Sequence, residues 1–294
     1  MITELLSPAG SLKNMRYAFA YGADAVYAGQ PRYSLRVRNN EFDHDNLKIG
    51  IEEAHSLGKK FYVVVNIQPH NSKLKNFIRD LSPIIEMKPD ALIMSDPGLI
   101  MMVREHFPDM PIHLSVQANA INWATVKFWK DYGLSRVILS RELSLDEIEE
   151  IKNNVPDIEL EVFVHGALCM AYSGRCLLSG YMNKRDANQG ACTNACRWEY
   201  KIHDAQEDSN GDVIPVQHFE NSKSCCSKSS HERNTINPVL VQRNDEDMFA
   251  AEEDEHGTYF MNSKDLRAVQ HVERLTKIGV HSLKIEGRTK SYFY

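Results

Sequence analysis

Short apolar, β-branched runs recur along the chain, each preceded by an amphipathic stretch that ends at Gly or Pro-Asp. The phrase appears as Gly22-Ala-Asp-Ala-Val-Tyr-Ala-Gly29, Pro89-Asp-Ala-Leu-Ile-Met-Ser95, Gly133-Leu-Ser-Arg-Val-Ile-Leu-Ser140 and Gly279-Val-His-Ser-Leu-Lys-Ile-Glu286. Glycine just past a helix accepts the left-handed conformation that stops it, so each phrase reads as a helix-to-strand joint. Adding Glu4–Ser7, Phe61–Ile67, Ile112–Gln117 and Glu159–His165 gives eight strands. Their nearly unbroken apolar character suits a parallel sheet covered by helices. Helices are predicted over Leu12–Tyr21, Asn46–Ser56, Leu74–Ile85, Leu99–His106, Trp123–Tyr132, Leu145–Asn153 and Ser263–Ile278. The sixth of these opens with a capping box, Ser144-x-x-Glu147. Strand starts near residues 4, 25, 61, 91, 112, 136 and 159 keep the rhythm of repeated βα units. An α/β fold of the TIM type, a (β/α)8 barrel, is the expectation, with an open doubly wound sheet as the alternative.

The last strand starts near residue 282, so a long insertion must separate strands seven and eight. The expected division is 1–167 for barrel strands one to seven and 168–202 for a cysteine-rich loop. Residues 203–257 then form an acidic insertion, mobile in part, and 258–294 hold barrel helix seven and strand eight. Because the chain stops at Tyr294, the helix that would cover strand eight, and any C-terminal domain, are expected to be absent from it. Met1-Ile-Thr-Glu-Leu-Leu-Ser-Pro8 lacks a basic segment followed by an apolar one, and no apolar run reaches membrane-spanning length. A cytoplasmic protein without a membrane partner follows as the expectation.

Net charge is −6, which on its face argues against a nucleic-acid partner, but its distribution changes that picture. From His203 to Gly257 there are 13 acidic residues against 4 Lys and Arg, so that stretch carries −9 and the remainder of the chain +3. The cysteine-rich loop is basic, with Arg175, Lys184, Arg185, Arg197 and Lys201 against Asp186 and Glu199. Such a loop is either a solvated surface or a phosphate-facing one.

In a barrel of this type, residues that follow the strands converge on one face, where active sites lie. Those positions supply Gln30, Arg32, Arg36, Arg38, Asn66, Ser95, Asp96, Ser115, Gln117, Ser140, Arg141, Glu142, His165, Lys284, Glu286 and Arg288. Taken singly, each is more often a solvated or capping residue; together their arginine content favours an anionic ligand such as a carboxylate or phosphate. His165 and Glu286 are the candidate catalytic groups there. Four cysteines, Cys169, Cys176, Cys192 and Cys196, follow strand seven at the spacing C-x6-C-x15-C-x3-C. Clustered thiols in a reducing compartment point to metal, and soft thiolates select an iron–sulfur cluster or zinc. The spacing is that of neither a ferredoxin nor a zinc ribbon. A Cys169–His165 thiolate pair for nucleophilic catalysis is the competing reading of the first cysteine. Cys225 and Cys226, adjacent in the acidic insertion, read as free surface thiols. No Gly-rich phosphate loop, zincin His pair or nucleophile elbow is present.

The stretch Glu161-x-Phe-x-x-Gly166-Ala-Leu-Cys169-x-x-x-x-Gly174-x-Cys176-x-Leu-Ser179 resembles the signature of the peptidase U-32 family, the collagenase-like proteases. Further motifs include Glu4-Leu-Leu-Ser-Pro-Ala-Gly10, Tyr27 to Arg38, Met94-Ser-Asp-Pro-Gly98 and His113-Leu-Ser-Val-Gln-Ala-Asn119. With Asn188 to Tyr200 and Leu283-Lys-Ile-Glu-Gly-Arg-Thr-Lys290, they are similar to its prephenate-dependent tRNA 5-hydroxyuridine synthase branch. That resemblance implies hydroxylation of carbon 5 of the wobble uridine without molecular oxygen, with prephenate as co-substrate and tRNA as partner. It also implies a 4Fe–4S cluster on Cys169, Cys176, Cys192 and Cys196. Prephenate carries two carboxylates, for which Arg36, Arg38, Arg141 and Arg288, with Gln117, are the binding candidates. Arg175, Lys184, Arg185, Arg197 and Lys201 would face the tRNA backbone, and Tyr33, Tyr172 or Trp198 would stack on the flipped base. A U-32-type peptidase is one alternative; because relatives in that family continue past Tyr294, a subunit dependent on a protein partner is the other.

Overall fold

The computed structural model describes residues 3–35, 40–167, 201–207, 213–215, 237–242, 248–253 and 265–287. Two compact units divide the chain, Met1–Thr193 with Lys264–Tyr294, and Asn194–Ser263.

Eight parallel strands build the first unit. They are β1 (Glu4–Pro8), β2 (Ala25–Gly29), β3 (Lys60–Val65), β4 (Ala91–Met94), β5 (Ile112–Leu114), β6 (Arg136–Ile138), β7 (Glu159–Ala167) and β13 (Ser282–Ile285). Each pairs with the next, and β13 joins β7 to β1, with Lys284 opposite both Phe163 and Leu6. The sheet is therefore a closed barrel rather than the open alternative. Between the strands run α1 (Leu12–Ala20), α2 (His44–Ser56), α3 (Asn71–Leu74), α4 (Phe77–Glu86), α5 (Pro97–His106), α6 (Trp123–Asp131) and α7 (Leu145–Asn154), with α8 (Val272–Ile278) before β13.

Strand alternation sorts the core into two layers. Val26, Phe61, Val63, Leu92, Leu114, Val137 and Leu160 point outward against the helices. Leu6, Tyr27, Tyr62, Val64, Ile93, Ile138 and Phe163 fill the barrel. The joints form as the sequence predicts: Gly22, Gly133 and Gly279 take φ of +99°, +91° and +89°, which only glycine adopts without strain. The capping box at Ser144 and Glu147 also forms in full.

Three elements differ from expectation. The helix predicted over Leu74–Ile85 is two helices, with Asn76, a poor helix former that favours caps, heading the second. The strand predicted to run to Gln117 ends at Leu114 and turns into a 3-10 helix over Val116–Ala118. In place of a helix start near Ser263, Asp265–Arg267 form β12, antiparallel to the overhang of β7 at His165–Ala167. An unpaired strand end offers a row of backbone groups, and β12 satisfies them.

The second unit contains β8 (Lys201–Glu207), β9 (Val213–Pro215), β10 (Asn237–Gln242) and β11 (Met248–Glu253), antiparallel in the order β11-β10-β8-β9. The stretch that reads as a polar excursion thus carries strands. Their apolar triplets, such as Val239-Leu-Val241, are too short to stand out from the acidic composition. Arg36, Arg38, Arg288, Cys225, Cys226, the four clustered cysteines and residues 288–294 lie outside the described residues. Among the described residues no helix is long and apolar enough to cross a membrane.

Candidate active site

A cavity of about 70 Å³ opens at the C-terminal ends of the barrel strands. Space of that size admits several waters or a small polar group. Its walls combine Val64, Ile93 and Ile138 from inward strand positions with Asn66, Ser115, Gln117, Arg141 and Glu286 from the residues that follow β3, β5, β6 and β13. Tyr27, Phe163 and Lys284 line it from within the strands, and Leu35 and Val116 from the segments after β2 and β5.

Two cations are fixed against this space. Arg141 is 5% exposed and ion-paired with Glu286, and its Cζ sits 3.7 Å from the centre of the Phe163 ring. Lys284 is buried; its Nζ lies 2.7 Å from Glu161 Oε1, 4.3 Å from the Tyr27 ring centre and 5.5 Å from that of Phe163. A cation over an aromatic face gains roughly 0.5–2 kcal/mol, more where water is excluded, so these rings hold both charges in place. The Tyr27 hydroxyl donates to the Ile285 carbonyl at 2.9 Å and is itself anchored.

The amides are partly committed. Asn66 Oδ1 accepts from Leu35 N at 3.0 Å, and its Nδ2 reaches Ser115 Oγ at 3.5 Å. Ser115 Oγ in turn lies 3.5 Å from Gln117 Oε1. Gln30, by contrast, turns inward to its own loop and accepts from Arg32 N and Tyr33 N at 2.6 Å.

Toward the N-terminal end the barrel interior is packed with charge. Arg136 reaches Glu4 at 2.6 Å, Glu159 at 2.7 Å and Glu161 at 3.0 Å, and the Tyr62 hydroxyl donates to Glu4 Oε2 at 2.7 Å. Burial pushes the Glu4 carboxyl up, but Arg136, Tyr62 and Lys60 outweigh it and leave the group below its usual range. His113, edge-on to Tyr62 with ring centres 4.8 Å apart, is held neutral first by burial and then by Arg136, Lys284 and Lys60.

The structure brings six of the sequence candidates together at the cavity: Asn66, Ser115, Gln117, Arg141, Lys284 and Glu286. His165 is not among the lining residues; it lies on β7 with its carbonyl accepting from Glu286 N at 2.9 Å. Gly166, next to it, has φ +110°, and a Cβ there would meet Glu286 O at 2.3 Å, so glycine lets the two strands approach at the mouth. Asp96 caps α5 through Leu99 N, and Arg32 pairs with Asp80 on the surface. Tyr33 is buried edge-on against Phe77, which removes it as a stacking platform for a base. Lys201 is exposed on β8, in the second unit. Tyr27 and Phe163 escaped the sequence reading, although the two-residue alternation of β2 and β7 puts both on the inward face.

Among the described residues no group of three or more His, Cys, Asp or Glu is arranged to hold a metal. The four clustered cysteines provide the donor set that a four-iron cluster takes.

The protein is 71% identical, over 99% of the chain, to tRNA hydroxylation protein P of Escherichia coli (strain K12), and 73% identical over 99% to tRNA hydroxylation protein P of Haemophilus influenzae (strain ATCC 51907 / DSM 11121 / KW20 / Rd). It spans 65% and 64% of the lengths of those two relatives. The 23S rRNA 5-hydroxycytidine C2501 synthase of Escherichia coli (strain K12) is 32% identical over 99% of the chain, which covers 37% of that protein. The model of Peptidase family U32 matches residues 10–294. With nearly the whole length matched, the chain belongs to peptidase family U32.

Proposed function

We propose that this chain provides the barrel of a tRNA-modifying enzyme that hydroxylates carbon 5 of the wobble uridine, with prephenate as co-substrate. The observation that carries the reading is the 71% identity, over 99% of the chain, to a relative named for tRNA hydroxylation. A more distant relative is named for 5-hydroxycytidine synthesis, the same oxidation at the same ring carbon of a pyrimidine. Neither name speaks for the peptidase alternative.

A pyrimidine C5–H bond has no leaving group, so its hydroxylation is a redox reaction and calls for a cofactor. Cys169, Cys176, Cys192 and Cys196 would hold a 4Fe–4S cluster, which when bound supplies electron transfer. Arg141 offers a planar guanidinium to a carboxylate of prephenate, and Gln117, Asn66 and Ser115 offer hydrogen bonds that orient the ligand. Arg36, Arg38 and Arg288 are further cations for that dianion. The side chains of Val64, Ile93, Ile138 and Phe163 keep water from most of the cavity wall. Arg175, Lys184, Arg185, Arg197 and Lys201 would contact tRNA phosphates, which makes binding weaken as salt rises. Action on tRNA fits a cytoplasmic location.

Nucleoside mass spectrometry of tRNA tests the reading. A strain lacking the gene, and lacking any second route to the modification, should lose 5-hydroxyuridine and the nucleosides derived from it. The wild-type gene should restore them and Cys192→Ala should not. Unchanged hydroxyuridine in the deletion strain would contradict the proposal.

A further inference from the structure

The charged lining of the cavity is asymmetric. Among the described residues it consists of Arg141, Lys284 and Glu286, two positive groups against one negative. At the rim, Arg141 and its counter-ion Glu286 both face the space, so that pair presents both signs to a ligand. Lys284 is different. Its counter-ion, Glu161, is 0% exposed and is not a lining residue, so the carboxylate stands behind the ammonium as seen from the cavity. Glu161 is tied further back by Arg136 at 3.0 Å, which is bound in turn to Glu4 and Glu159. The ion pair therefore acts as a dipole with its positive end toward the space, in a low-dielectric surrounding where such a field is strong. The rings of Tyr27 and Phe163 prevent the lysine stem from turning away.

We propose that Lys284 is a substrate-binding residue, and that the innermost end of the cavity takes a carboxylate group of the co-substrate against its ammonium. The ligand class is a small carboxylate held by Lys284 and Arg141, both of which contact the Phe163 ring. This deepens, and rests on, the reading of the site as one for a dicarboxylate co-substrate.

Isothermal titration calorimetry of the purified protein with prephenate, and separately with malonate, tests the assignment. Lys284→Met keeps the stem and removes the charge, and should raise the Kd for prephenate about 30-fold or more, the usual consequence of truncating one partner of a buried charge contact. Lys284→Arg keeps the charge and should stay within about fivefold of wild type. The double variant Glu161→Gln/Lys284→Met removes both buried charges together, which spares the fold, and should bind as poorly as Lys284→Met. Thermal melts confirm that the material titrated is folded. If folded Lys284→Met or the folded double variant binds prephenate as wild type does, Lys284 is only the counter-ion of Glu161 and the proposal is overturned. If wild type ignores prephenate but binds malonate in a Lys284-dependent way, the proposal stands and the choice of prephenate falls. Wild type that binds neither carboxylate overturns it.

Discussion

The two ends of the barrel interior use the same residue types to opposite effect. At the N-terminal end, Arg136 is bound to Glu4, Glu159 and Glu161, with the Tyr62 hydroxyl on Glu4, and none of these residues lines the cavity at the other end. Burial works against the arginine's charge, yet Glu161 and Glu4 hold its pKa above the ordinary value. At the C-terminal end, Arg141, Lys284 and Glu286 surround open space beside Asn66, Ser115 and Gln117. Burial and charge are therefore poor guides to function in this fold. What separates the ends is whether the side chains are spent on one another or on a cavity.

The largest effect expected from breaking that contrast is at Arg136. Replacing it by Met takes a buried cation from both Glu4 and Glu161, leaving Lys60 and Lys284 as their remaining cations, and should cost about 3 kcal/mol of stability in urea denaturation. Gly166→Ala comes next. Positive φ and a Cβ 2.3 Å from Glu286 O should together cost about 2–3 kcal/mol and displace Glu286 from the mouth. A loss near zero would mean that the strands part easily there and that the close approach is incidental.

Acid should weaken the N-terminal end. His113 is neutral when folded because its pKa lies well below 6.5, so the unfolded chain takes up the proton first. As pH falls below about 6.5 stability should decline, by up to ~1.4 kcal/mol per pH unit from this one residue. His113→Phe should flatten that limb, read as urea midpoints across the range. Glu4, with its lowered pKa, holds its contribution until more acidic pH and loses it as the pH falls through the folded value. The smallest effect serves as a control: Asp96→Ala removes the α5 cap and should cost about 1 kcal/mol, with hydroxyuridine unchanged.

Asp96 also shows where sequence reading stops. It follows a strand as the site residues do, and only its hydrogen bond to Leu99 N marks it as a cap. The barrel itself was legible, because the glycine joints and the apolar strands are local signals that tertiary structure did not override. Gln117, Arg141 and Glu286 were legible as residues after strands, the rule that (β/α)8 geometry imposes. The interior charges were not. Glu4, Arg136, Glu159, Glu161 and His113 each look like a polar interruption of a strand, and their pairing spans up to 132 residues. Periodicity carries no information about such partners. Tyr27 and Phe163 were hidden for the opposite reason, since an aromatic in an apolar strand reads as plain core. The strands of the second unit were masked by their acidic surroundings.

The most direct test of the C-terminal end as the working end is the 5-hydroxyuridine content of tRNA from cells whose only copy of the gene carries Arg141→Gln, with folded protein at the wild-type level. The account predicts a fall of about tenfold or more, as expected for loss of a buried charge contact worth upward of about 1.4 kcal/mol. Hydroxyuridine at the wild-type level would contradict it.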